Sequence, residues 1–433
     1  MPVAPQSNRV LVRHPERPAV LRTPEGALPE IRTPAAHRWW RESRLVNVAV
    51  REQLGLEGTV LRCASVDLEP CGGRSATFEI EPARADPAAP AGTRWVEEEP
   101  PAARFAALPW EQPRWIAAAS DWIGERLAKL NRPRTGPVVQ VRNHGYLSCI
   151  LRAPTGRGAA WFKASPPMHA HETALTAYLA ERFPQVVPTV LAADPERAWL
   201  LSEEAPGDRL FSLKKSGGPY LPLWKDLLER VARMQIQLGD QLDELRALGV
   251  AEWPPQRFAE EMDEAIDRMA ESLGAWEEKH GDLAAAPAIQ AVRERVPALK
   301  DAAAELGESG PPPSLHHGDF HSANILSDGT GTRVIDWAFQ AGIAHPFFFL
   351  SVVFEEHRDP AARAEVTEAY LAPWRERHDD TSLRRALELA PPLAALHAAF
   401  GHQVQLDGAR HPWEAVPEAR NVVAYLGQAA GAA

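Results

Sequence analysis

The stretch from His316 to Trp337 constrains this chain more than any other segment. It reads H-H-G-D-F-H-S-A-N-I-L-S-D-G-T-G-T-R-V-I-D-W and places Asp319, Asn324 and Asp336 within eighteen residues. Ile325-Leu326 reads as a strand, the segment with Asp328-Gly329 and Gly331 as a polar turn, and Arg333-Val334-Ile335 as the antiparallel return. A hairpin sets its two ends side by side. The spacing therefore predicts that Asn324 and Asp336 meet at the open end, with Asp319 just before it. Two carboxylates and an amide oxygen in one place make a hard-oxygen site suited to Mg²⁺ and a substrate hydroxyl, the pattern of a phosphotransferase centre. Asp and Asn beside Gly are also ordinary turn residues, so a purely structural hairpin is the competing reading. The composite favours chemistry: an H-G-D, an Asn five residues after the Asp, then an apolar strand ending in I-D-W.

The block resembles the aminoglycoside phosphotransferase/choline kinase family, a branch of the protein-kinase-like fold marked by H-G-D-x-H-x-x-N and a following I-D-W. The resemblance covers roughly residues 138 to 430. It implies an α+β, two-lobed protein-kinase-like fold and transfer of the γ-phosphoryl group of ATP, or of GTP, to a hydroxyl of a small molecule with Mg²⁺. In that scheme Asp319 accepts or orients the hydroxyl proton, and Asn324 and Asp336 coordinate Mg²⁺. His317 and His321 brace the loop. Relatives phosphorylate aminoglycosides, macrolides, choline, amino acids and sugars, so the resemblance specifies the reaction and leaves the acceptor open. Antibiotic resistance is one role it implies.

A small lobe is expected over residues 136–205. Val138 to Arg142, Leu147 to Arg152 and Ala159 to Lys163 read as three antiparallel strands, with a helix from about His169 to Phe183. By resemblance Lys163, at the end of the third strand, anchors nucleotide phosphates, and Glu172, nine residues on, holds its ammonium as an ion pair. A lysine on a strand edge is equally a solubility device when taken alone. The turn Asn143 to Ser148 occupies the place of a nucleotide-covering loop yet has one glycine, and an ordinary hairpin turn is as good a reading. Trp199 to Gly207 runs from an apolar strand into a Pro-Gly break, which suits the connection between lobes. The resemblance gives the carbonyl of Glu203 and the amide of Ala205 to the adenine ring.

Residues 206–433 read as a largely helical large lobe. Leu227 to Leu248 trace one apolar stripe, and Phe258, Met262, Ile266, Met269, Leu273 and Trp276 a second. The other face of the second helix is acidic, with nine Asp/Glu, Asp282 among them, against three Lys/Arg over residues 256–282. A solvated face is the plain explanation, and the resemblance offers a second, in which these acids hold the ammonium groups of a substrate. Pro391-Pro392 is expected to begin a later helix. Phe349 stands where the family often has an Asp, which puts in question a supporting hydrogen bond.

Residues 1–135 form a separate expectation. Arg9 to Arg13 and Ala19 to Arg22 read as a hairpin, followed by a helix from about Arg44 to Gln53 and strands at Thr59 to Val66 and Ala76 to Glu81. This small α/β layout, with V-R-E-Q-L-G-L at Val50 to Leu56, resembles the end of a Nudix box. On that alignment the box glycine falls at Pro34, the first glutamate at Trp40 and the last E-E pair at Glu52-Gln53. One carboxylate cannot organise the metal cluster such hydrolysis needs, so a degenerate, catalytically dead Nudix-like domain is expected.

Charge narrows the partners. The chain carries a net −11, distributed as +2 over residues 1–137 and −13 over the rest. The acidic portion argues against nucleic acid and suits a cationic or neutral small molecule. No apolar run approaches the roughly 18 residues of a membrane span, and the N-terminus lacks a secretion-signal pattern. The three cysteines, Cys63, Cys71 and Cys149, fit neither a disulfide framework nor a zinc spacing, so a reducing cytoplasm is the expected location. Oligomeric state is left open. The rival to an enzyme is a catalytically silent, nucleotide-binding regulatory protein; the intact Asp319, Asn324 and Asp336 set speaks against it.

Overall fold

The computed structural model describes residues 6–34, 42–68, 74–99, 106–281 and 283–431, and Trp40, Cys71 and Asp282 lie outside them. The chain divides into two compact units, Met1–Pro166 with Trp199–Glu204, and Pro167–Ala198 with Ala205–Ala433. Among the described residues no helix is long and apolar enough to cross a membrane.

The first unit opens with β1 (Gln6–Val12), β2 (Ala19–Arg22), β3 (Glu30–Thr33), α1 (Ser43–Leu54), β4 (Gly58–Leu68), β5 (Arg74–Pro82) and β6 (Arg94–Glu97). The expected hairpin of residues 9–13 with 19–22 does not form; only the bridge Arg13 to Val20 remains of it. Instead β1 lies inside a sheet of order β3-β1-β5-β4, antiparallel to β3 and parallel to β5, while β2 pairs with β6. The physical reason is burial. Val10 and Val12 are fully enclosed beside Val50, Phe78 and Ile80, and a strand that buries such residues belongs in the middle of a sheet. The partner is distant in sequence, so no local turn signal announces it.

The unit continues with α2 (Trp115–Lys129), β7 (Val139–Asn143), β8 (Cys149–Thr155) and β9 (Gly158–Ala164). The chain then leaves it for α3 (His171–Arg182) and β10 (Val190–Asp194) and returns with β11 (Trp199–Glu203). Within this unit β11, β9, β8 and β7 are antiparallel neighbours in that order. Trp115, Trp122, Phe162 and Trp199 meet at 5.4–6.0 Å, all edge-on but the tilted Trp115–Phe162 pair, and seal α2 onto the sheet. Gln140 is the polar rivet. Its buried amide accepts from Asn47 Nδ2 at 2.9 Å and Val60 N at 3.1 Å, and donates to Val60 O at 2.8 Å. That fastens β7 to α1 and β4, so the first sheet and the antiparallel sheet share one compact unit.

After β12 (Asp208–Arg209) and α4 (Leu210–Ser216), the second unit is mostly helical. The stripe expected to be one long helix is broken after Gly239 into α5 (Tyr220–Gly239) and α6 (Leu242–Ala247). Next come β13 (Ala251–Glu252), α7 (Pro255–His280), α8 (Ala285–Ser309) and β14 (Ser314–His316). The hairpin strands β15 (Ile325–Ser327) and β16 (Thr332–Val334) precede β17 (Gly342–Ala344), α9 (Leu350–Glu356), α10 (Pro360–Trp374), α11 (Asp380–Gly408) and α12 (Pro412–Ala429). No helix begins at Pro391: α11 runs straight through Pro391 and Pro392. Its start is set upstream, where the Asp379 side chain caps Ser382 N at 2.9 Å, and its buried face continues on both sides of the prolines. Packing of Leu383, Ala386, Leu393 and Leu396 outweighs the donors the prolines lack.

Candidate active site

The site grows from a strand that is held firmly. Ser314 Oγ donates to Gln235 O at 2.6 Å, and Gln235 Nε2 donates to Leu315 O at 2.9 Å, so α5 grips β14 from both sides. Buried Tyr370 completes the clamp by donating to Gln235 Oε1 at 2.6 Å. The chain then turns at Gly318, whose φ of +83° lies in the left-handed region. A Cβ there would stand 2.4 Å from Phe339 O. Gly318→Ala is therefore expected to destabilise the protein by about 2 kcal/mol or more, from combined strain and overlap. An unchanged thermal melting temperature for this variant would refute that account of the turn.

Beyond the turn the hairpin forms in the expected register, Ile325 opposite Val334 and Ser327 opposite Thr332. Ile335 N donates to Asn324 O at 2.9 Å, which brings Asn324 and the residue before Asp336 together at the open end. Asp336 itself adopts φ +69°, a conformation Asp tolerates better than most side chains. Asn324 Nδ2 donates to both the carbonyl of Asp319 at 3.0 Å and its Oδ2 at 2.8 Å. With its amide nitrogen committed, Asn324 keeps its oxygen as an acceptor.

Asp319 is also met by His321, Nε2 to Oδ1 at 3.2 Å. Burial works against the charged carboxylate, but the His321 hydrogen bond and charge outweigh it and hold Asp319 below the usual carboxylate range. Burial likewise opposes the charged form of His321, and the carboxylates of Asp319, Glu356 and Asp336 more than offset it, so His321 is raised. The loop is braced from behind by Glu356. Its Oε1 accepts from Ser322 N at 3.1 Å and Ser322 Oγ at 2.7 Å, and its Oε2 from Tyr220 at 2.9 Å. Phe349, where the family often carries an Asp, packs against Phe320 and Tyr370 with ring centroids 5.0 and 5.2 Å away. Support for the loop comes from Glu356, seven residues further on, a role the sequence did not signal.

His317 occupies the loop as a neutral wedge. Burial drives it down to about 4, and its Nε2 lies 3.1 Å from Ile335 O. His345 and His397 are pulled down to about 3 and about 4 by burial alone. These folded values lie below the unfolded value near 6.5, so between pH 6.5 and 4 the unfolded chain binds protons the folded chain refuses. Stability should fall through that window by up to about 1.4 kcal/mol per pH unit for each such histidine. His321 acts oppositely, since its raised value stabilises below pH 6.5 and is lost as pH climbs through it. Urea midpoints from pH 7.5 to 4.5 test the balance; a midpoint that rises on acidification would contradict it.

A cavity of about 280 Å³ opens beside Asp319, within the second unit, with His316, His321, Phe339, Glu355, His402 and Tyr425 among its lining. The acids of α7 do not line it. Glu261 pairs with Arg257, Glu264 with Arg268, and Asp267 with Arg293, and Asp263 meets Lys300 on α8, which is how a solvated face behaves. Of the other sequence candidates, Lys163 lies half-buried on β9 and Glu203 ends β11, both in the first unit. Glu203 Oε1 accepts from Arg132 at 2.5 Å. Glu172 is buried in the first turn of α3 and Ala205 follows β11, both in the second unit.

This fold, mixed in helix and strand, and this loop define a class: a protein equipped to move a phosphoryl group. The sequence model of the phosphotransferase enzyme family matches residues 150–384, and the chain belongs to that family, as a small-molecule phosphotransferase. It is similar in structure to a choline kinase from Streptococcus pneumoniae, with 14% identity, 72% of this chain and 99% of that one covered, and a TM-score of 0.46. A macrolide 2′-phosphotransferase from Brachybacterium faecium gives 17% identity, 70% and 98% coverage, and 0.46. The GDP complex of an aminoglycoside 2′-phosphotransferase gives 14%, 73% and 99%, and 0.45. No curated protein sequence matches the chain.

Proposed function

We propose that the protein transfers the γ-phosphoryl group of ATP, or of GTP, to a hydroxyl of a small amine-bearing molecule, with Asp319 as the catalytic base. One observation carries the reading: Asp319 borders the cavity while Asn324 and His321 hold its two oxygens, so an ionised carboxylate is fixed where an acceptor hydroxyl would lie. Asn324 and Asp336 fit a hard cation, since one offers a spare amide oxygen and the other a carboxylate at the same hairpin end. Among the described residues no three His, Cys, Asp or Glu side chains gather into a metal centre. Mg²⁺ held there would neutralise the charge that develops on the phosphate.

Lys163 and Glu172 are the proposed side chains, and the backbones of Glu203 and Ala205 the proposed main-chain groups, for binding the nucleotide. An amine-bearing acceptor is favoured by the charge around the cavity, whose lining includes Asp319, Glu355 and Glu356 with Arg358 as its single Lys or Arg. The N-terminal segment is proposed to be non-catalytic. Gln53 spends its amide on the Arg32 backbone, at 2.9 and 2.8 Å, a structural use of the position where a Nudix box needs a carboxylate. Nucleotide-dependent ADP release with a panel of amino sugars and amino alcohols tests the whole reading; ATP binding with no turnover on any of them would favour the regulatory alternative.

A further inference from the structure

The cavity beside Asp319 has two walls of different origin. The catalytic loop, from His316 to His321, lies inside the segment the family model matches, whereas His402 on α11 and Tyr425 on α12 lie beyond its end at residue 384. His402 is not an idle aromatic. Its Nδ1 lies 2.9 Å from Glu418 Oε2, and Glu418 is only 5% exposed. Asn421 Nδ2 stands 3.4 Å from the same nitrogen. The imidazole stacks on Tyr425 at 5.3 Å with planes 13° apart and meets Phe339 at 4.8 Å on another side. A carboxylate oxygen accepts hydrogen bonds, so Glu418 favours the tautomer with its proton on Nδ1, in which Nε2 is an acceptor. Among the described residues no protein group bonds that nitrogen, and the ring borders the cavity.

We propose that His402, oriented by Glu418, is the acceptor-recognition residue: its Nε2 accepts a hydrogen bond from a hydroxyl or amine of the substrate other than the hydroxyl that is phosphorylated. The proposal rests on the phosphotransferase reading and extends it. The shared segment supplies the chemistry, and the C-terminal helices choose the molecule. Burying a glutamate to hold one imidazole costs desolvation, and a ring fixed in a single orientation is what hydrogen-bond discrimination requires. Tyr425 and Phe339 keep the imidazole from rotating away. Glu355 and Asp319, which hold the Tyr425 phenol up at about 12 after burial has raised it, give that side of the cavity a negative field favourable to an amine.

The test uses the full chain with Mg²⁺ and ATP, and glucosamine, ethanolamine and 2-deoxystreptamine as acceptors. At least one should be phosphorylated. For that acceptor His402→Ala should raise KM about tenfold while kcat stays within about threefold, the loss of one hydrogen bond to a polar partner. His402→Gln, which keeps an acceptor near the same place, should recover most of the loss, and Glu418→Gln should raise KM without removing kcat. A KM unchanged in His402→Ala, or an equal loss in the Gln and Ala variants, overturns the proposal. Refusal of all three acceptors, while Asp319-dependent ATP hydrolysis continues, also overturns it but leaves phosphoryl transfer standing. Absence of both transfer and hydrolysis sinks the underlying reading as well.

Discussion

Asp319→Asn is expected to fold as the wild type does and to transfer phosphate about 10³-fold more slowly, the usual scale for removing a positioned general base. The substitution keeps the shape of the side chain and one carbonyl oxygen, so Asn324 retains an acceptor for the bond it now makes at 2.8 Å. What disappears is the charge. The carboxyl of Asp319 is held below its usual range by His321 despite burial, so it is ionised at neutral pH and available to a hydroxyl proton. The amide cannot take that proton. Thermal melting and ADP release measured on the same preparation decide the matter; turnover within tenfold of wild type would remove Asp319 from the role.

Asp336→Asn should be the next most damaging change, with kcat/KM down by about 10²-fold or more, as for loss of one electrostatic contact to a transferring group. Its φ of +69° is tolerated by Asn as well as Asp, so the hairpin end should survive. The deficit should instead appear as a weaker hold on Mg²⁺, with the half-saturating concentration raised about tenfold. Titrating Mg²⁺ against activity in both proteins separates the possibilities. An unaltered Mg²⁺ requirement would mean that Asp336 serves the backbone conformation rather than the ion.

Much of the hairpin from Ile325 to Val334 was legible because it is local. Asn324 and Ile335 are joined across the open end of a two-stranded turn whose residues lie close in sequence, and the Asp328-Gly329 turn between two short apolar runs announces it. Helix α3 and strands β7 to β9 followed from periodicity and turn residues for the same reason. Misreadings came where a distant partner decided. Arg9 to Arg13 looks like half of a hairpin, yet Val10 and Val12 are buried most completely beside a strand more than sixty residues on, at Thr77 to Ile80. Pro391-Pro392 looks like a helix start, yet the cap at Asp379 and the core on both sides carry α11 through it.

By itself, the sequence pointed to the reaction class, since the H-G-D, the Asn five residues on and the I-D-W that follows lie close together in the chain and resemble one phosphotransferase family. It left the far wall of the cavity undetermined. His402, Glu418 and Tyr425 follow no motif with Asp319, and Glu356 braces Ser322 from a helix away. Only the packing of α9, α11 and α12 around the loop brings His402, Tyr425 and Glu356 to one cavity, with Glu418 behind His402. The physical reason is that helix packing is set by the summed burial of many apolar side chains, none of which marks the polar residue it happens to place.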